Sequence, residues 1–411
     1  MNESELPLLE TESPERATRP TRDRTLRAVT GVAVLAFAIR VAIAPFVKEI
    51  HYLDAILFDF ECIRAFARGE FADGYLHWVP PLFPVAVALP YRWLGDLEWA
   101  GRLTSCAIGA ATVFPVYGLG RLAVGPRVGV VAALLLAVAP YHVGYSVEIS
   151  SHVHYVFYAA FALWAGFGLV RRPSWRSAVL FGAAAGVAYW VRQEIVGSVL
   201  VIAAIVVLLP VVAWRFPRVS LAAPSWPRAI GIAVLAGAVC FGYAFPIVWW
   251  THEATGRWVI SSKGGVSLFA RGRVLTELTA DHHRVLWETQ ISTMEDQQRL
   301  SLIEPILEDP VAVFRWWSGC ATKHVTENLP RVFGYALTPF IVLAWWVRRR
   351  VPRGALFDLY GGMLVLGVIA QLSFFYDSPR LLLAFLPLGM VWGAVGLIEV
   401  GRLGPFDERS M

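Results

Sequence analysis

The stretch VGSVLVIAAIVVLLPVVA, residues 196–213, decides the fold. It carries no charged side chain, and its one polar group is Ser198. The hydrocarbon core of a bilayer asks for about 20 such residues in a row. The chain on either side repeats the theme. Further apolar runs occupy 28–46, 100–119, 128–146, 153–170, 177–195, 229–250, 331–347, 355–375 and 381–398. None shows the period-two alternation of a membrane barrel. Each is therefore read as a helix, which satisfies its backbone groups internally. The sequence predicts an all-α polytopic membrane protein of about 10 transmembrane helices with two long extracytoplasmic segments. One more apolar segment, Pro80–Trp93, is interrupted by Pro81, Pro84 and Pro90. It reads as interfacial or re-entrant, or as a further span.

Composition agrees. The 411 residues are 57% hydrophobic and 16% charged, with a mean hydropathy of +0.55. A soluble domain is about 45–50% apolar and about 25% charged. That excludes a cytosolic globular enzyme, a disordered protein and a secreted disulfide scaffold. The four cysteines, Cys62, Cys106, Cys240 and Cys320, show no CxxC spacing, so neither a metal cluster nor a redox pair is expected. Cys106 and Cys240 lie in apolar runs and read as packing residues, and a Cys62–Cys320 disulfide is not expected.

An even number of spans puts both termini on one side, and arginine placement chooses the side. Arg16, Arg19, Arg22, Arg24 and Arg27 precede the first span. Arg121, Arg127, Arg171, Arg172, Arg176, Arg215, Arg218, Arg228, Arg348, Arg349, Arg350 and Arg353 fall in loops on the same side. The short opposite loops near 141–152 and 376–380 hold only Arg380. The expectation is a multi-pass protein of a bacterial-type inner membrane with both termini cytoplasmic. The net charge of +5 then sets orientation and does not point to nucleic acid. Residues 1–27 read as a disordered cytoplasmic tail without a signal peptide. Residues 28–250 form an N-terminal transmembrane module that includes a first outer loop, 47–99. Residues 251–330 form a second extracytoplasmic region, 331–398 the last helices, and 399–411 a cytoplasmic tail.

Polar groups gather at the outer face. In His51–Glu61, a helix would put Asp54, Phe58 and Glu61 on one side. A carboxylate there can act as a general base; the same spacing also fits a solvated amphipathic helix lying on the membrane. In Tyr141–Tyr155, Glu148, His152 and Tyr155 share the same i, i+4, i+7 spacing. Glu148 and His152 can hold a polar ligand or contribute to a divalent metal site, which two residues leave incomplete. His142 and His154 read as ordinary interfacial histidines. Arg192 and Glu194 close the fifth span and can pair with each other or with the first loop. Arg380 opens the last span at a helix N-terminus, where the dipole does not favour a cation. A planar guanidinium suits a lipid phosphate, and simple snorkelling to headgroups also fits.

The order of these motifs is familiar. One span is followed by Asp54-Ala55, Phe58 and Gly69, then Pro80-Pro81-Leu82-Phe83-Pro84, then Gly101-Arg102-Leu103 opening a span that ends Tyr117-Gly118-Leu119-Gly120-Arg121. A span ending at Pro140, the Gly186-to-Glu194 stretch, and Arg380 followed by Pro387 complete the series. Over about 28–398 the chain resembles the GT-C superfamily of polytopic glycosyltransferases, and within it glycosyltransferase family 39, the protein-mannosyltransferase-like and aminoarabinose-transferase-like enzymes. Gly256–Gly265, which contains Lys263, resembles a loop of bacterial members.

The resemblance implies a polyprenyl-phosphate-linked sugar as donor and an acceptor that is a lipid, polysaccharide or protein. It implies inverting transfer at the extracytoplasmic face, with a first-loop Asp as base. By position that residue is Asp54, with Asp59 and Glu61 as further candidates because the interval to Gly69 is one residue longer than the family pattern. Glu148, His152, Arg192, Glu194, Lys263 and Arg380 are the expected substrate-binding residues, Arg380 at the lipid phosphate. The family's acidic residue of the second outer loop falls nearer Ser151–His152 than Glu148. No cofactor is certain and a divalent metal is possible. Residues 251–330 contain no GxGxxG or Walker pattern, so nucleotide binding is not supported. The competing reading is a polyprenol-linked lipid transporter or flippase. A transporter should show internal repeats and midplane polar residues; the sequence shows no convincing repeat, its acidic residues lie at the outer edge, and Arg40, the main charge within a span, falls near the outer half of that span. A membrane assembly scaffold is a third reading.

Overall fold

The computed structural model describes residues 19–47, 59–76, 79–215, 223–261, 307, 309–348, 354–374 and 378–402. Asp54 and Lys263 lie outside the described residues, as do the tail calls before residue 19 and after residue 402. Among the described residues every regular element is a helix. In chain order they are α1 (Arg19–Ile43), α2 (Phe60–Arg68), α3 (Phe71–Gly74), α4 (Leu82–Leu94), α5 (Leu97–Ala111), α6 (Val113–Ala123), α7 (Pro126–Val138), α8 (Pro140–Ser146), α9 (Ser151–Arg171), α10 (Trp175–Tyr189), α11 (Ile195–Arg215), α12 (Trp226–Thr255), α13 (Pro310–Lys323), α14 (Leu329–Phe333), α15 (Thr338–Arg348), α16 (Ala355–Leu372) and α17 (Leu386–Arg402). A 3₁₀ turn, Pro379–Phe385, leads into α17.

Seven helices among the described residues are long and apolar enough to cross a bilayer, or nine if each of two bent pairs is one span. They match the apolar runs read from the sequence, with three differences. The run 128–146 is α7 and α8, bent by 58°. Pro140 explains the break: it offers no N–H and its ring clashes with the preceding turn. The run 331–347 is split across Gly334, where Pro310–Phe333 and Thr338–Val347 meet at 102°. The run 177–195 ends early, because α10 stops at Tyr189 and a turn through Glu194 precedes α11. Pro80–Trp93 yields the short apolar helix α4, not a full span.

Tight helix contacts come from small residues. A Cβ at Gly120 would lie 2.9 Å from the Gly129 Cα, so α6 and α7 touch backbone to backbone. Capping fixes several helix starts. Asp96 accepts from the Trp99 N–H at 3.0 Å, and Ser174 and Ser177 form a reciprocal capping box on α10. The buried Tyr360 hydroxyl donates to the Leu163 carbonyl at 2.7 Å, joining α16 to α9.

The first loop forms its own small core. Cys62, Ile63 and Phe66 of α2 pack with Phe83 and Val87 of α4, and with Ala100 and Ile149 of the bundle. Arg102 fastens this region from inside. Its guanidinium pairs with Glu98 at 2.8 Å and donates to the Val147 carbonyl at 2.9 Å. All four cysteines are buried.

Candidate functional site

The residue pairs His142/Ser146 and Tyr141/Tyr145, each one turn apart on α8, face different neighbours. His142 and Ser146 turn inward and are buried. Tyr141 and Tyr145 are half-buried, one turn apart, with ring centroids at 5.2 Å. The Arg331 guanidinium of α14 sits 5.9 Å from the Tyr141 ring centroid. Arg380, from the 3₁₀ turn before α17, lies within electrostatic reach of the same tyrosine. On the other side, the Tyr145 ring is 5.3 Å from the His152 ring, which is in the first turn of α9.

His152 leads to the α10–α11 turn. Arg192 Nη1 lies 3.1 Å from His152 Nε2. A guanidinium only donates, so Nε2 accepts and His152 is neutral with its proton on Nδ1. Arg192 also donates to Glu194 Oε1, from Nη2 at 2.6 Å and from Nε at 3.1 Å. Its guanidinium is 5.9 Å from the Tyr155 ring. The turn that carries Arg192 is tied to the first loop, since the Leu82 N–H donates to the Trp190 carbonyl at 3.0 Å. Phe83 then meets His154 edge-on at 4.9 Å. Three arginines, three tyrosines and a neutral histidine thus line one arc. This donor-rich, half-buried set suits an anionic, oxygen-rich ligand, because guanidinium groups match phosphate geometry.

Several expected residues fall into this arc and others do not. His152, Arg192 and Glu194 come together, and Arg380 stands at the far end beside Tyr141. Glu148 is not on a helical face with His152: α8 ends at Ser146, a bend follows, and α9 begins at Ser151. Asp59 sits at the N-terminal boundary of α2. Glu61 pairs with Arg64 on the exposed side of α2. Among the described residues no group of three or more His, Cys, Asp or Glu is placed to hold a metal. The Arg192 guanidinium against His152 Nε2 also opposes a cation at that nitrogen. Sequence reading missed Arg331. It is the first residue of an apolar run, the same signal that singled out Arg380.

Beside the site, Tyr75 of the first loop reaches α12, its hydroxyl 3.3 Å from the Ile247 carbonyl and 3.4 Å from Thr251 Oγ1. Burial raises the pKa of this phenol. In the same loop, burial and then the neighbouring Asp59 push the Cys62 thiol up to about 12.

Residues 78–250 match the family model described as dolichyl-phosphate-mannose-protein mannosyltransferase. The structure superposes on the oligosaccharyltransferase AglB of Archaeoglobus fulgidus, solved with an inhibitory peptide and a dolichol-phosphate, with a TM-score of 0.58. The two are 13% identical, and the match covers 93% of this chain and 51% of that one. The chain adopts the GT-C fold. It spans about half the length of that archaeal protein. ArnT of Cupriavidus metallidurans, solved with undecaprenyl phosphate, is 17% identical with a TM-score of 0.42, over 92% of this chain and 78% of that one. No curated protein sequence matches. The GT-C fold accounts for the many helices read from the sequence.

Proposed function

We propose that this protein transfers a sugar from a polyprenyl-phosphate donor to an acceptor at the extracytoplasmic membrane face. The observation that carries the proposal is the arc from Arg331 and Arg380 through Tyr141, Tyr145 and His152 to Arg192, set against the first loop. Similarity to AglB, solved with a dolichol-phosphate, and the matched family's name support the donor class. In the proposed reaction the acceptor hydroxyl or amine attacks the anomeric carbon, forming the new glycosidic bond. The bond from that carbon to the phosphate oxygen breaks, and its electron pair leaves with the polyprenyl phosphate. A single displacement of this kind inverts the anomeric centre.

Asp54 is the proposed base that takes the acceptor proton, with Asp59 and Glu61 behind it. Arg380 and Arg331 would neutralise the phosphate as it departs. Preorganised cations of this sort contribute about 3–4 kcal/mol to lowering a barrier. Arg192, held by Glu194 and His152, would orient the sugar or the acceptor, while Glu148 and Lys263 remain proposed contacts. Both termini would lie in the cytoplasm. The acceptor class is a lipid, polysaccharide or protein.

The test is transfer of radiolabelled sugar from a polyprenyl-phosphate donor in proteoliposomes, wild type against Asp54→Asn. Transfer by the wild type and its loss in the variant support the proposal. Full activity of Asp54→Asn overturns the base. Wild type that moves the lipid across the bilayer without transferring sugar establishes the transporter instead.

A further inference from the structure

Arg40 lies in the last turn of α1 with no exposed surface. Among the described residues it has no carboxylate partner. Its Nη1 donates to the Ala36 carbonyl at 2.8 Å and to the Ala137 carbonyl at 3.1 Å, and its Nη2 donates to His142 Nδ1 at 2.8 Å. Arg40 Nε and His142 Nε2 find no hydrogen-bond partner. An ionised side chain inside a membrane span is costly and marks a function by default. This one is held by weak acceptors, so its place calls for a reason.

The acceptors supply one. Ala137 belongs to the last turn of α7, where the break at Pro140 leaves carbonyls without helical donors. His142 belongs to α8, on the far side of that break. Arg40 therefore bridges both arms of the 58° bend. The inward face of α8 is also fixed by packing: a Cβ at Gly109 would lie 2.3 Å from Ser146 Oγ and 3.1 Å from Arg40 Nε, so α5 comes close at this point. A helix of two turns is a rigid body. Locking His142 on one face sets the direction of Tyr141 and Tyr145 on the other, where they meet Arg331 and His152.

We propose that Arg40 is a positioning residue: through His142 it fixes the rotation of α8 and so sets Tyr141 beside Arg331 and within reach of Arg380 for binding of the lipid phosphate. This inference rests on the donor class proposed above. It assigns work to a buried cation that neither the GT-C fold nor the sequence reading explains.

The experiment measures binding of undecaprenyl phosphate to the full chain by native mass spectrometry, in a double-mutant cycle of Arg40→Met and Tyr141→Phe. A positioning role predicts that each single change weakens binding about tenfold and that the double variant is no weaker than about tenfold, because the two act as a unit. His142→Asn, which keeps an acceptor for the guanidinium, is expected to bind nearer to wild type than His142→Leu. These two variants retain Arg40 and decide the matter if Arg40→Met does not fold. A multiplicative double variant, wild-type binding in folded Arg40→Met, or equal binding by His142→Asn and His142→Leu overturns the inference. Wild type that binds the lipid but transfers no sugar overturns the proposed activity alone. Wild type that does not bind the lipid overturns both.

Discussion

Arg192 and His152 stand 40 positions apart in sequence and meet at 3.1 Å, Nη1 to Nε2. The contact joins the α10–α11 turn to the start of α9, and Glu194 anchors the guanidinium from the other side at 2.6 Å. One planar group thus serves two partners in fixed directions. Lysine keeps the charge but has no fork. Arg192→Lys is therefore expected to lower kcat/KM for sugar transfer about 10- to 100-fold while the protein remains folded, which steady-state transfer assays in proteoliposomes check. An unchanged kcat/KM would remove Arg192 from the site.

The backbone contact between α6 and α7 makes a stability prediction. Neither helix has a flexible side chain at Gly120 or Gly129 that can move aside, so any Cβ at Gly120 forces the helices apart. Gly120→Val should destabilise the fold by about 1–3 kcal/mol, read as a lower thermal midpoint in detergent. At Gly237, in α12, an added Cβ would meet nothing within 4 Å, so Gly237→Ala should leave the midpoint in place or raise it.

Much of this architecture is legible in the sequence because membrane helices announce themselves by apolar length alone. The runs 28–46, 153–170, 196–213 and 381–398 all became helices close to their expected bounds. Breaks inside a run are less visible, since Pro140 is as apolar as its neighbours and signals a bend only through backbone geometry. The site is harder still. Arg192 and Glu194 sit two residues apart and their pairing could be read directly. Their contact with His152 depends on how α9 and α11 pack. Glu148 misled because spacing of i and i+4 places residues on one face only if the helix is continuous, and here it stops at Ser146. Arg331 was hidden because its partner, Tyr141, is remote in sequence.

Cys62 provides a probe of the first loop. Its side chain is 2% exposed between α2 and α4, and burial raises the thiol to about 12. A thiol reacts as its thiolate, so maleimide labelling of Cys62 at pH 7.5 should be slow in the folded protein and fast after denaturation. The sign with pH follows. The unfolded thiol ionises near 9 and the folded one near 12, so the contribution from keeping it neutral is intact below 9 and is lost as pH rises from 9 through 12. Fast labelling of the folded chain would show that α2 does not rest on α4.

Arg331 and Arg380 share Tyr141, and this sharing separates a phosphate site from headgroup snorkelling. Two cations held beside one phenol repel each other, and an anionic phosphate between them relieves the repulsion. A snorkelling arginine has no such dependence on a partner. Arg331→Gln should raise KM for the polyprenyl-phosphate donor about tenfold, the loss of one charge-assisted hydrogen bond of roughly 1.5 kcal/mol. Arg331→Lys should recover part of it, because a point charge still reaches phosphate. In the ligand-free protein, Arg331→Gln should leave stability unchanged or slightly raised, since one like charge is gone. Measured together, donor KM and the thermal midpoint distinguish the two roles: a higher KM with an undiminished midpoint identifies a ligand-binding arginine, whereas a lower midpoint with unchanged KM makes Arg331 a structural contact.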